Sequence, residues 1–221
     1  MIKAIIFDLD GVIIESAEIK TDAFRMLFAN YPDRLPEIIA YHQRNAGISR
    51  YNKFRYFYEK ILGQELSLEK EKELGGRFSQ IVLDEVIKAP LVAGAEDFLK
   101  SNHQRYILFV ISGTPEEELH YILRRRGLDI YFQGVYGTPQ TKPEITRRIL
   151  AEHQLASQEV VFVGDAESDR IAAEKAGIFF VARITSDNRE LQDCRWQVKD
   201  LTELDSVLSS LSSVKIKGVD N

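Results

Sequence analysis

Four short runs of apolar residues recur along the chain and predict buried strands. They cover residues 4–7, 106–111, 160–163 and 178–181. Continuous apolar runs of this length are typical of strands that are buried on both faces of a parallel sheet. The first three runs lead directly into Asp, Ser or Gly, residues that commonly end strands and begin turns. We therefore expect a parallel sheet at the centre of an α/β protein.

Helical signals follow two of these predicted strands. Pro115 and three glutamates begin a segment that ends in three arginines before Gly127, and the helix after residue 163 ends at Gly177. Proline and acidic residues favour the first helical turn, and glycine commonly stops a helix. Strand and helix thus alternate from about residue 90 to residue 182, as in a parallel sheet.

The segment between the first strand and residue 88 has helical periodicity and no strand-like run. Its apolar residues recur in three helical stretches, the third begun by Ser67 as an N-cap. We expect the core to comprise residues 1–14 and 89–221, with a helical cap domain over residues 15–88 and the sheet resuming near Pro90. The last ten residues are expected to form a short tail.

Composition limits the possible partners and compartments. The chain has 221 residues, a formal net charge of -5, a single cysteine (Cys194) and four histidines without metal-ligand spacing. The charge and the lack of basic runs disfavour nucleic acid and anionic membranes as partners. One cysteine excludes an internal disulfide and a Cys-rich zinc site. With no long apolar run and no signal peptide in the sequence, we expect a cytoplasmic protein.

Four polar clusters follow strands or loops that we expect at the same edge of the sheet. They are Asp8 with Asp10, Ser112 with Gly113 and Thr114, Lys142, and Asp165 with Asp169. Ligands of open α/β sheets bind at the carboxyl ends of the strands. The aspartates offer hard oxygen ligands for Mg²⁺, the lysine offsets negative charge, and hydroxyls beside a helix N-terminus hold phosphoryl oxygens. The set predicts phosphoryl transfer by a carboxylate nucleophile.

The clusters and their order resemble the haloacid dehalogenase superfamily, in its phosphoglycolate phosphatase and beta-phosphoglucomutase-like branch. Residues 7–13, 111–114, 142–143 and 163–169 resemble its first to fourth motifs, in the expected order. The resemblance extends from residue 3 to about residue 182. It implies a Rossmann-like parallel-sheet core with an α-helical cap inserted after the first strand.

The resemblance also implies residue roles. Asp8 would be the nucleophile, and Asp10 would protonate the leaving oxygen and then activate water. Ser112 would bind phosphoryl oxygens, and Lys142 would neutralise charge in the transition state. The presence of Asp10 favours phosphoryl chemistry over carbon–halogen cleavage, which needs no acid at that position.

The metal ligands implied by the resemblance are Asp165, the Asp8 carboxylate and the Asp10 backbone carbonyl. Asp169 would support them without binding Mg²⁺. Ala166 departs from the usual Gly-Asp-Ser of the fourth motif, but the metal-binding carboxylate is present.

The resemblance also implies that a loop between cap helices supplies polar contacts that select the substrate. The best candidate loop covers residues 44–50, where Gly47 separates two helical stretches. Arg50 and Lys53 are candidates to bind the leaving group or a second anionic group, with a solvated charge at a helix start as the alternative for each. Lys20 faces either the active site or water.

The main hypothesis is a Mg²⁺-dependent phosphatase for a small soluble phosphomonoester. A sugar-phosphate mutase of the same branch is the enzymatic alternative, although Lys20 stands where such mutases tend to carry a histidine. A phospho-acceptor or binding module without turnover is the alternative from another class, and the helical insertion argues against it. The sequence is compatible with a monomer or a dimer.

Overall fold

A computed structural model of the chain describes residues 1–185 and 188–213. Within these residues, six strands form one parallel sheet. The strands are β1 (Ala4–Phe7), β2 (Ile107–Pro115), β3 (Gly134–Thr138), β4 (Val160–Gly164), β5 (Phe179–Arg183) and β6 (Gln197–Val198). Their order in the sheet is β3-β2-β1-β4-β5-β6. The prediction of an α/β protein with a parallel sheet is confirmed.

The first strand lies in the middle of the sheet and sets the register of the site. Phe7, its last residue, pairs with Val110 of β2 and with Val163 of β4. Alternate residues of β1 face opposite ways, so that Ile5 joins one apolar cluster and Ile6 the other. Burial on both faces explains the unbroken apolar run. The register brings the polar residues after these strands to one edge.

Helices cover the sheet between its strands. The helices after residue 88 are α5 (Ala95–Asn102), α6 (Glu116–Arg126), α7 (Lys142–Glu152), α8 (Glu167–Ala176) and α9 (Leu204–Ser213), and four helices precede them in the sequence. The predicted ends of α6 and α8 are confirmed, because Gly127 and Gly177 adopt the left-handed conformation that stops them.

Four helices lie between β1 and β2 in the sequence, and we call them the helical block. They are α1 (Ala17–Leu27), α2 (Leu35–Arg44), α3 (Arg50–Tyr56), which continues as a π-helical turn over Phe57–Leu62, and α4 (Leu68–Lys88). Phe24, Phe54, Phe57 and Phe78 are buried against one another at their centre. The predicted N-cap is confirmed, since the Ser67 hydroxyl accepts a hydrogen bond from the Lys70 backbone N–H at 3.1 Å.

The structure corrects two predicted boundaries. The sheet does not resume near Pro90; Leu91 forms an isolated bridge with Ile14, and the next strand begins at Ile107. Strand β2 also runs on to Pro115 instead of ending at Ile111, with a shift of register between these two residues. The irregular part of β2 therefore contains the second polar cluster, which is Ser112, Gly113 and Thr114.

Two further expectations concern the chain as a whole. Among the described helices, none combines the length and the hydropathy needed to cross a bilayer. Of the predicted tail, the first two residues end α9, and residues 214–221 lie outside the described part of the chain.

Candidate active site

Asp8 lies at the carboxyl end of the central strand and is buried. Its side chain is 2% exposed, and its Oδ1 accepts a hydrogen bond from the Leu9 backbone N–H at 2.7 Å. Its Oδ2 lies 2.9 Å from Nζ of Lys142. Burial raises the pKa of Asp8 to about 7, with Asp169 and Asp10 adding to the rise and Lys142 opposing it.

Asp10 faces a different set of groups. Its Oδ1 accepts from the Ser16 hydroxyl at 2.6 Å, and its Oδ2 accepts from the Ser112 hydroxyl at 3.2 Å and from the Lys20 ammonium. Lys20 also donates to Oγ1 of Thr114 at 2.7 Å, so this lysine faces the site. Burial alone would raise the pKa of Asp10, but Lys20 and the two hydroxyls hold it below its usual value. The carboxyl is therefore ionised at neutral pH.

Lys142 joins Asp8, which follows β1, to Asp169 on α8. It is the first residue of α7, where the Glu144 carboxylate accepts from the Thr141 backbone N–H at 2.9 Å and fixes the turn. Its Nζ lies 2.9 Å from Asp8 Oδ2 and 2.6 Å from Asp169 Oδ1. Burial disfavours the charge, but the two carboxylates outweigh burial and raise the pKa of Lys142.

Three carboxylates beyond strands β1 and β4 form a candidate metal centre. Asp8, Asp165 and Asp169 each place an oxygen within 4.8 Å of the others. Asp169 is occupied by Lys142 and by the Ala166 backbone N–H, which donates to its Oδ2 at 3.2 Å. No hydrogen-bond donor among the described residues reaches the Asp165 carboxylate. The pKa of Asp165 is raised well above its usual value by burial and then by Asp8 and Asp169.

These residues fit a hard divalent cation. Clustered carboxylates in a desolvated site are costly unless a cation compensates them, and Mg²⁺ prefers such oxygen ligands. The approach of the two loops leaves no room for another side chain, because a Cβ on Gly11 would lie 2.0 Å from Asp165 Oδ2. Gly11 also has a φ of +73°, which favours glycine.

Two residues that the sequence did not single out hold the loops of this centre. Arg183, at the end of β5, donates to the Gly11 carbonyl at 2.8 Å and pairs with Glu15 at 2.6 Å. Asn188 donates to the backbone carbonyl of Asp165 at 2.9 Å and to that of Arg183 at 2.7 Å. Hydrogen bonds from Arg183 and Asn188 thus connect both loops that carry candidate metal ligands to the end of β5.

The predicted loop of the helical block lies directly over the core. The Ser168 hydroxyl donates to the Ala46 carbonyl at 3.0 Å. A Cβ on Gly47 would lie 2.9 Å from Nζ of Lys142, and one on Gly113 would lie 2.6 Å from the Gly47 carbonyl oxygen. The lack of a side chain at Gly113 therefore lets the helical block pack closely against the core.

The two predicted cations of the helical block have different surroundings. Arg50 is 4% exposed, and its Nη2 lies 2.5 Å from Oε1 of Glu118 on α6. Its Nη1 donates to the Ser79 hydroxyl at 2.9 Å. Lys53 is 3% exposed, and its Nζ lies 2.9 Å from Nδ1 of His42. Both line a cleft of about 640 Å³ that also reaches Asp8 and Asp165. Neither is a solvated charge.

The structure thus brings the core candidates together at one sheet edge and the two cap candidates into the same cleft, while their roles stay predictions. A parallel sheet with an acidic centre at its carboxyl edge and a helical block over that centre defines an α/β enzyme. Residues 2–177 match the family model of haloacid dehalogenase-like hydrolases. The chain belongs to this hydrolase family, which confirms the resemblance.

Relatives agree with the family and with the fold. The chain is 30% identical over 182 residues to a phosphorylated carbohydrates phosphatase of Thermotoga maritima, covering 80% of this chain and 82% of that protein. It is 28% identical to a phosphoglycolate phosphatase of Photobacterium profundum, covering 79% and 80%. A beta-phosphoglucomutase structure from Clostridium difficile has the same fold, with a TM-score of 0.77 at 20% identity, over 96% of this chain and 98% of that one.

Proposed function

We propose that this protein is a Mg²⁺-dependent phosphatase that hydrolyses a small phosphomonoester through an aspartyl-phosphate on Asp8. The observation that carries the proposal is the position of Asp8: buried, 2.9 Å from Lys142 and within the carboxylate cluster of Asp165. The names of the two curated relatives, both phosphatases of small phosphorylated compounds, support it. They favour a phosphorylated carbohydrate or a small phosphorylated acid as substrate.

Asp8 and Asp10 divide the chemistry. A carboxylate oxygen of Asp8 forms a bond to phosphorus while the bond from phosphorus to the leaving oxygen breaks, and Asp10 gives that oxygen a proton. Water then attacks phosphorus, Asp10 takes its proton, and the bond between Asp8 and phosphorus breaks to release phosphate. One group therefore serves first as acid and then as base.

The proton on Asp10 depends on Lys20. In the structure, the Lys20 ammonium donates to the Asp10 carboxylate and lowers its pKa, which keeps Asp10 ionised. A phosphoryl dianion competes for the same ammonium, which already reaches toward Thr114. Loss of the Lys20 contact raises the affinity of Asp10 for a proton, so that substrate binding itself prepares the acid.

The remaining core residues bind and orient the phosphoryl group. Lys142 offsets the charge on its oxygens, and Ser112, the Gly113 backbone N–H and Thr114 hold them. Asp8, Asp165 and the Asp10 backbone carbonyl would hold Mg²⁺, with Asp169 holding Lys142 in place. The ion would supply electrostatic stabilisation of the charge on the transferred group.

The helical block acts as a cap domain in this proposal, with the division at residues 14 and 88. Contacts of Gly47 and Ala46 with the core support a closed site that excludes bulk water. A cleft of about 640 Å³ suits small substrates. Lys20, at the position where mutases of this branch tend to carry a histidine, weighs against the mutase, and membership of a hydrolase family weighs against a module without turnover.

Phosphate release from a panel of sugar phosphates and small phosphorylated acids tests the proposal, with Mg²⁺ and with a chelator. Asp8→Asn is the test variant, and Asp84→Asn, an exposed position on α4, is the matched control. We expect metal-dependent release that is lost in Asp8→Asn and kept in Asp84→Asn. Full activity of Asp8→Asn would contradict the proposal, and conversion of a sugar phosphate to its isomer would identify a mutase.

A further inference from the structure

Lys53 is a buried ammonium whose protein partners are uncharged. Its Nζ contacts Nδ1 of His42 at 2.9 Å and the His42 backbone carbonyl at 3.4 Å. Among the described residues, it forms no ion pair with a carboxylate. The side chain nevertheless lines the cleft that holds Asp8. A buried cation in such a place is costly unless another group compensates it.

The other cations that line the cleft all have carboxylate partners. These are Lys20 with Asp10, Arg50 with Glu118 and Arg183 with Glu15. Arg50 has two further partners: it donates a hydrogen bond to the Ser79 hydroxyl, and its guanidinium carbon lies 4.4 Å from the centre of the Phe78 ring. Lys53 is therefore the cleft cation with unused capacity for an anion in the described part of the chain.

A chain of hydrogen bonds fixes the position of Lys53. The Thr21 hydroxyl can donate to the Ala17 carbonyl at 3.2 Å and accept from Nε2 of His42 at 3.1 Å. This arrangement assigns the histidine proton to Nε2 and leaves a lone pair on Nδ1 to accept from Lys53. The ring also packs on Phe24, with 4.6 Å between the ring centroids.

Burial and the nearby cations keep His42 an uncharged acceptor. They lower the pKa of His42 to about 2, with burial as the main cause and Lys53 next. Helices α1, α2 and α3 thus contribute to one polar chain inside an otherwise aromatic core.

We propose that Lys53, positioned by His42, is the specificity-determining cation of the cleft and binds a second anionic group on the leaving-group part of the substrate. This inference rests on the proposed function. Lys53 enters the cleft from the helical block and Asp8 from the sheet, so the ester phosphate and the second anion are held from opposite sides. The anion is a carboxylate or a second phosphate, since both present the oxygens that an ammonium binds.

Two pairs of esters test the inference by binding in the Asp8→Asn background, where the proposed turnover is absent. One pair is 3-phosphoglycerate and glycerol 3-phosphate, and the other is fructose 1,6-bisphosphate and fructose 1-phosphate. Each pair differs in one anionic group. Calorimetry should give at least about tenfold tighter binding of the member with two anionic groups in one pair, the gain expected of a charge-assisted hydrogen bond.

Lys53→Met should remove that preference and leave the binding of the other member within about twofold. Lys53→Arg should restore part of it, because the charge is kept. Binding also separates the two proposals, since a protein that prefers the ester with two anionic groups but never releases phosphate fails only as a phosphatase. Equal affinity for both members of both pairs, or an equal loss for both in Lys53→Met, would overturn the role of Lys53.

Discussion

Arg50 and Glu118 form a buried ion pair that joins the helical block to the core, with 2.5 Å between Nη2 and Oε1. The side chains are 4% and 11% exposed. The Ser79 hydroxyl donates to the same carboxylate at 2.5 Å, so helices α3, α4 and α6 meet at this point. The pair fixes the position of the helical block relative to the sheet.

The first prediction concerns the energy of this pair. Either Arg50→Met or Glu118→Gln should lower the free energy of unfolding by about 3 kcal/mol, because each leaves a buried group without its partner. The double variant should cost less than the sum of the two, with a coupling energy of about 1–3 kcal/mol. Urea unfolding of the four proteins measures this cycle. Additive costs would show that the two side chains do not stabilise each other.

The second prediction concerns the metal. Mg²⁺ should raise the melting temperature of the protein, because the ion binds the folded carboxylate cluster and not the unfolded chain. Asp165→Asn should abolish this rise, whereas the exposed control Asp84→Asn should keep it. Differential scanning fluorimetry across a Mg²⁺ titration provides the measurement. A rise of equal size in Asp165→Asn would place the ion elsewhere.

The third prediction follows from the buried ammonium of Lys53. Burial first, and then Lys20 and Lys142, lower the pKa of Lys53 to about 7, opposed by Asp10; the facing His42 is uncharged. The unfolded chain binds this proton up to about pH 10.5. Between about pH 7 and pH 10.5 the unfolded state therefore holds more protons, and the contribution of Lys53 to stability rises with pH.

Lys53→Met should consequently be more stable than the parent protein at pH 6 by on the order of 1–3 kcal/mol. The difference should shrink as the pH rises from 7 to 10. Urea unfolding at several pH values compares the two proteins, which share every other titrating group. A difference that does not change with pH would mean that Lys53 keeps its ordinary pKa.

The fourth prediction uses two glycines with the same backbone conformation. Gly47 and Gly63 have φ values of +74° and +63°. A Cβ on Gly47 would lie 2.3 Å from Oγ of Ser168, whereas one on Gly63 meets nothing within 4 Å. Either alanine variant should cost about 1 kcal/mol of stability through its backbone strain. Only Gly47→Ala should lower the rate of phosphate release, by at least about tenfold, because it displaces the loop over the core. Equal rates in the two variants would contradict this role of the loop.

The core of the site could be predicted from the sequence because its chemistry is tied to strand ends. One buried apolar run is followed at once by Asp8, and a second is followed by Gly164 and Asp165. In a parallel sheet this places both carboxylates at the edge where the strands end. Lys142 follows no predicted strand; it was expected at this edge as one of the four polar clusters, and the resemblance then gave it the role of neutralising charge. The register between β1, β2 and β4 then brings the polar residues that follow these strands to one edge of the sheet.

The residues that the sequence did not reveal act through long-range contacts. His42 contacts Lys53 across two helices, and Asn188 reaches the Asp165 carbonyl from 23 positions away. No local pattern marks such pairs, because a histidine on an apolar helix face or an asparagine in a turn occurs without any function. Helix α2 was not predicted as a separate helix, and of its residues only Ile38 and His42 are buried.

The most direct test of the central claim is to trap the phosphorylated enzyme. The protein is mixed with Mg²⁺ and a radiolabelled phosphomonoester that it hydrolyses, quenched in acid within milliseconds, and mapped by peptide mass. We predict one phosphorylated carboxylate, on Asp8, formed and lost at rates that match turnover, and no label in Asp8→Asn. Phosphate release without label on Asp8, or a label that persists in Asp8→Asn, would contradict the aspartyl-phosphate mechanism.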